Sequence, residues 1–160
     1  MRAAMALFLM VGAAAVSTTV AGASPPGGFQ LLSDQEYQKE LSVRALPGAA
    51  LVPRAADLNA PSITVVSPDS STAIQPPVDI DVRFKPAAGA SVNVASLKIL
   101  YGFLKLDITQ RILQAPGVQV SASGLTAKGA RLPSGSHKLL IEVTDNLGRA
   151  GRQLLEFTVK

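Results

Sequence analysis

The sequence predicts an all-β antiparallel sandwich of about seven strands over residues 61–160. Three observations lead to it. Apolar and polar residues alternate along several short stretches, turn residues recur between them, and no apolar repeat of helical period interrupts the series. The chain has 160 residues with 13 glycines and 11 prolines, many of them between apolar runs. Aromatic residues make up 4% and tryptophan is absent, so the core must rest on valine, isoleucine and leucine.

Residues 1–23 have the three parts of a secretory signal peptide. Arg2 supplies the positive charge, and an uncharged stretch rich in Ala, Leu, Met and Val comes next. Ala21-Gly22-Ala23 then sets small residues where signal peptidase reads them, which makes Ser24 the expected new N-terminus. The alternative is an uncleaved anchor, the one membrane contact this reading allows, but its many Ala, Gly, Ser and Thr residues make a weak spanning helix. Either way the rest of the chain is expected in the periplasm or extracellular space.

Residues 24–60 differ in texture from the strand-rich remainder of the chain. Ser33-Asp34-Gln35-Glu36 reads as a capping box, with Tyr37 and Leu41 one turn apart on one face. This predicts a short helix over 34–43, ended by Pro47-Gly48, with a flexible linker from Pro47 to Asn59. The helix either covers the sandwich or stands apart as a docking arm; the sequence leaves both open.

From Pro61 the strands begin. Ile63-Thr64-Val65-Val66 is β-branched throughout and stops at Ser67-Pro68. Val78, Ile80, Val82 and Phe84 alternate with Asp79, Asp81, Arg83 and Lys85, the clearest half-buried strand in the chain. Leu97, Ile99 and Tyr101 form a third inward row, and Leu104, Leu106 and Ile108 continue past Gly102. Shorter strands around Val118, Val120 and Leu125 precede the turn at Pro133-Ser134-Gly135. Leu139, Ile141 and Val143, the connection Asp145-Asn146-Leu147-Gly148, and Leu155, Phe157 and Val159 complete the series.

Catalytic and metal chemistry find few residues to work with. The absence of cysteine excludes disulfides, Cys-ligated zinc, iron–sulfur clusters and thiol catalysis. His137 is the single histidine, and no Gly-x-Ser-x-Gly elbow accompanies it. It reads as a histidine beside a turn, bonded to backbone at a strand start, and no metal is expected on it. Asp79 and Asp81 share a strand face with Arg83 and Lys85, a pattern for a solvated mixed-charge surface and not for a calcium or glycosidase site. Asp145 reads as an Asx-type turn.

The net charge of +4 is mild. Lys98, Lys105, Arg111, Lys128 and Arg131 are dispersed, without the interleaved aromatics of a nucleic-acid surface, so no nucleic acid is expected as partner. Phe103 and Leu104 come directly after Gly102 at a hairpin tip, where apolar residues either dock a partner or fold back onto the sandwich.

A resemblance adds to this reading. Gly135-x-His137, the strand after it, Asp145-x-x-Gly148 and the ending Phe157-x-Val159 resemble the closing part of bacterial immunoglobulin-like domains. The run from Pro61 to Pro68 looks like their first strand, and Leu106-Asp107-Ile108-Thr109 is similar to their central Asp-x-Thr hairpin. Arg149 departs from the family's more usual Asn and adds charge at that turn. The resemblance covers 61–160 and leaves 24–60 unexplained. It implies an immunoglobulin-like antiparallel sandwich, and function only by fold-level analogy.

The expectation is therefore a signal peptide (1–23), a short helix and linker (24–60) and an immunoglobulin-like domain (61–160). The favoured role is a non-catalytic, cofactor-free binding or structural module of the bacterial envelope. It would recognise a protein or surface, with Phe103, Leu104, Lys105 and Arg111 as candidate contacts and self-association through a strand edge as a further route. A small periplasmic metal carrier is the alternative, disfavoured by one histidine and no cysteine.

Overall fold

The computed structural model describes residues 28–45 and 59–160. The leader and most of the expected linker lie outside the described residues. In chain order the elements are β1 (Phe29–Gln30), α1 (Asp34–Arg44), β2 (Ser62–Ser67), β3 (Ala73–Ile74), β4 (Val78–Lys85) and β5 (Val92–Tyr101). They continue with β6 (Leu106–Asp107), α2 (Thr109–Leu113), β7 (Val118–Ser121), β8 (Gly124–Arg131), β9 (Gly135–Asp145) and β10 (Ala150–Val159). Among the described residues, no helix is long and apolar enough to cross a membrane.

The strands form two five-stranded sheets. The first runs β1-β8-β4-β2, with β7 also paired to β8; the second runs β3-β10-β9-β5-β6. Pairing is antiparallel except for the two-residue strands β1 and β3, which lie parallel to β8 and β10. The seven longer strands, β2, β4, β5, β7, β8, β9 and β10, match the predicted series. This is an all-β sandwich.

Period-2 alternation builds the core. On β4 the side chains of Val78, Ile80, Val82 and Phe84 are buried, while Asp79, Arg83 and Lys85 are exposed. Leu97, Ile99 and Tyr101 on β5, Leu139, Ile141 and Val143 on β9, and Leu155, Phe157 and Val159 on β10 belong to the same buried cluster. The sheets close tightly where β10 meets the start of β2. A Cβ on Gly151 would overlap the Pro61 carbonyl, so only glycine lets the backbones approach there.

One expected strand is not formed. Past the tip of β5, only Leu106 and Asp107 pair with it, opposite Tyr101 and Leu100. Asp107 Oδ1 then accepts the Thr109 N–H at 2.9 Å and Thr109 Oγ1 accepts the buried Ile99 N–H at 2.8 Å. These bonds start the five-residue helix α2, which buries Thr109 and Ile112. A helix this short is below the window in which a 3.6-residue period shows, so the sequence pattern reads through it.

Helix α1 forms where the capping box places it and runs one residue further than expected. Ser33 Oγ accepts the Glu36 N–H at 3.3 Å, and Glu36 Oε2 accepts the Ser33 N–H at 2.9 Å. Leu32 before the cap and Tyr37 in the first turn are both in the core, the pair that a hydrophobic staple uses. The helix covers the sandwich: Leu31 and Leu32 are 0% and 1% exposed, and β1 adds to the edge of β8.

Candidate functional site

The chemistry-bearing side chains collect where α1 meets the β5–β6 tip and the start of β9. Three side chains of α1 make the junction. Glu36 takes both ends of the Arg111 guanidinium, Nη1 to Oε2 at 2.9 Å and Nη2 to Oε1 at 2.8 Å, a bidentate fork. Arg111 Nη1 also donates to the Leu31 carbonyl at 2.8 Å, so this cation holds the entry to the helix.

One turn on, Glu40 is buried at 5% exposure. Its Oε1 accepts the Phe103 N–H at 2.6 Å and its Oε2 the Leu104 N–H at 3.2 Å. Consecutive amides aimed at one carboxylate form a small anion nest. The nest needs Gly102: its φ is +63°, and a Cβ there would overlap the Glu40 carboxylate. Tyr37 sits over Gly135, where again a side chain would overlap it.

Beside Tyr37 lies His137, 1% exposed. Its Nε2 is 2.9 Å from the Pro133 carbonyl and its Nδ1 is 2.8 Å from the Tyr101 hydroxyl. A carbonyl only accepts, so Nε2 carries the proton and Nδ1 accepts from Tyr101. Burial holds His137 below the usual imidazole range and pushes the Tyr101 hydroxyl well up. Tyr37, Tyr101 and Phe157 surround the ring at centroid distances of 5.1, 5.9 and 5.5 Å. The imidazole is thus neutral, engaged at both nitrogens and packed among three aromatic rings.

The predicted contact residues fall in two places. Phe103, Leu104 and Lys105 stand together at the tip. Phe103 folds back, half-buried, with Lys138 Nζ 5.7 Å from its ring centre, whereas Leu104 projects outward at 49% exposure. Arg111 is apart from them and bonded inward to α1. Next to the tip a polar groove of about 550 Å³ runs over the second sheet, its lining including Arg44, His137, Lys138, Leu154, Glu156 and Phe157. Lys138 joins tip and groove, its Nζ 2.5 Å from Glu156.

The other candidates stay local. Asp79 Oδ1 accepts the Gly129 N–H and Asp81 pairs with Arg83. Asp145 accepts the N–H groups of Leu147 and Arg149 and pairs with the Arg149 side chain, so Arg149 closes its own turn. Burial alone would raise the Asp145 carboxyl, yet these donors hold it below its ordinary value. Lys98 lies on the second sheet and Lys128 and Arg131 on the first, so the basic residues do not share one patch. Among the described residues no three His, Asp or Glu side chains converge as metal ligands would.

Sequence reasoning misses Glu36 and Glu40 as contacts, although their i, i+4 spacing beside Tyr37 and Leu41 places them on the apolar face. The fork gives a testable pH dependence. The side-chain bond to Arg111 is the largest cause that draws the Glu36 carboxyl from its ordinary 4.5 to about 2. The unfolded chain therefore takes up this proton first, and the stabilisation is present above pH 4.5 and is lost as the pH falls towards 2. Arg111→Met should lower thermal stability at pH 6, and the gap to wild type should narrow steadily across that window.

No family model matches the chain, and no curated protein matches it. Among solved structures, the chain is similar to an endo-beta-1,4-mannanase from Thermotoga petrophila at 12% identity and a TM-score of 0.46, over 65% of this chain and 20% of that one. It is also similar to CopC from Methylosinus trichosporium OB3b at 21% identity and a TM-score of 0.39, over 61% of this chain and 93% of that one. The chain thus spans about a fifth of the length of the mannanase chain it matches.

Proposed function

We propose that the chain is an exported, non-catalytic module of the bacterial cell envelope, an immunoglobulin-like sandwich that recognises a protein or envelope surface. The observation that carries this reading is the fixed tip. Glu40 holds the Phe103 and Leu104 amides while the Leu104 side chain is left in solvent. An apolar side chain on a loop held by a scaffold loses little entropy on docking. The Lys138–Glu156 groove offers a polar rim beside it. The inward bonding of His137 supports a role without turnover. Arg111 then serves as a positioning residue for α1, and the contact set becomes Phe103, Leu104, Lys105 and Lys138.

Crosslinking capture from the native envelope tests this reading. Leu104→Ser leaves both nest amides in place and should weaken capture of a specific partner by at least about tenfold, the effect of losing one central anchor. Retention of the same partner at wild-type yield would remove the tip from the contact. Capture of nothing by either protein would leave a passive spacer as the better description.

A further inference from the structure

Alternation along the second sheet turns one set of side chains away from the core. Leu139, Ile141 and Val143 of β9 belong to the buried cluster, so Lys138, Leu140 and Glu142 point outward. Arg152, Leu154 and Glu156 do the same on β10. The register lines these residues up across the strands. Leu100 is opposite Leu140 and Leu140 opposite Leu154, which makes a row of leucines across β5, β9 and β10. Leu140 is 8% exposed yet lies outside the core cluster, and Leu100 and Leu154 are half-buried. A charged row flanks the leucines on each side. Lys98, Glu142 and Arg152 form one, with Arg152 bonded to Glu142. Gly102, Lys138 and Glu156 form the other, with Lys138 bonded to Glu156.

We propose that this outer face is an interaction surface for a second copy of the chain, the two copies packing face to face on a two-fold axis along the leucine row. The order of the charges selects this occupant. Sheets packed with their strands aligned can be related by a two-fold axis along the strands or across them. An axis along β9 would set Lys98 against Arg152 of the other copy, Glu142 against Glu142 and Lys138 against Lys138, which is repulsive at each place. An axis along the leucines exchanges the two charged rows strand by strand. Glu142 then faces Lys138, Arg152 faces Glu156, and Lys98 faces Gly102, which has no side chain to oppose it. No like charges meet, and the leucines of each copy cover those of the other. The leucines supply the apolar contact and the charges fix the orientation. A patch three strands wide is smaller than the about 800 Å² per partner of a standard interface, so the dimer is weak and forms at high concentration.

Sedimentation of the purified protein tests this with two variants that keep their own ion pairs in reversed polarity. K138E/E156K reverses the pair in one row, and E142R/R152E reverses the pair in the other. Either variant alone brings like charges together across the axis and should sediment as a monomer. In an equimolar mixture every facing pair is again opposite in sign, so a heterodimer should form at the concentration where wild type dimerises. Wild type that stays monomeric up to about 1 mM would overturn the proposal. So would variants that dimerise alone as strongly as wild type, or a mixture that remains monomeric, because the axis would then not run along the leucines. The readout is association of the pure protein with itself, so it stands apart from capture of a partner at Leu104.

Discussion

His137→Ala is expected to lower the unfolding free energy by about 3 kcal/mol, from the cavity it leaves and the buried Tyr101 hydroxyl and Pro133 carbonyl it strands. Denaturant titration of the purified protein measures this directly. A loss below about 1 kcal/mol would contradict the packing described, because a well-buried, doubly bonded side chain is not removed so cheaply. The pH dependence supplies a second reading. Burial holds the folded imidazole below 6.5, so the unfolded chain binds this proton more tightly. Stability should fall as the pH drops below 6.5, and His137→Ala should remove that part of the slope. Tyr101→Phe, which removes the hydroxyl and leaves only Nδ1 without its donor, should cost less than the alanine variant.

The second large effect is expected at Glu40. Glu40→Ala leaves the Phe103 and Leu104 amides without their acceptor, and hydrogen bonds to a charged group contribute about 1.5–3 kcal/mol each. A loss of at least about 3 kcal/mol is expected from the two bonds together, concentrated in the contact between α1 and the tip. Limited proteolysis localises it: cleavage at Arg44, at the exposed end of the helix, should accelerate while cleavage within β4 and β9 stays slow. Glu40→Gln should be nearly as harmful, because a carboxamide offers one oxygen to two donors and turns its own NH2 towards the second. A Gln variant indistinguishable from wild type would mean that the nest does not hold the carboxylate as described.

Much of this architecture is local and therefore legible. The alternation in Val78, Ile80, Val82 and Phe84 reports one buried face because neighbouring side chains on a strand must point opposite ways. The capping box at Ser33 and Glu36 closes over three residues, and the Asp145 turn over four, so both are written in consecutive letters. The backbone bond of His137 to Pro133 closes over four residues, so the turn beside it is legible in the same way.

The all-β class, the inward rows and the position of α1 are properties of the amino-acid order, since each arises from periodicity or from bonds within a few residues. What α1 covers, which face of the tip is left to solvent, and where Arg111 points were settled only by the assembled fold. Those depend on bonds across long separations: Glu40 to Phe103 spans 63 residues, Arg111 to Glu36 spans 75 and Tyr101 to His137 spans 36. Helix α2 and the lost strand around Leu104 were settled the same way. The bond from Ile99 to Thr109 ties one backbone amide to a side chain ten residues on, which no repeat in the sequence encodes. Periodicity says which side of an element is buried, and only the assembled sheets say against what.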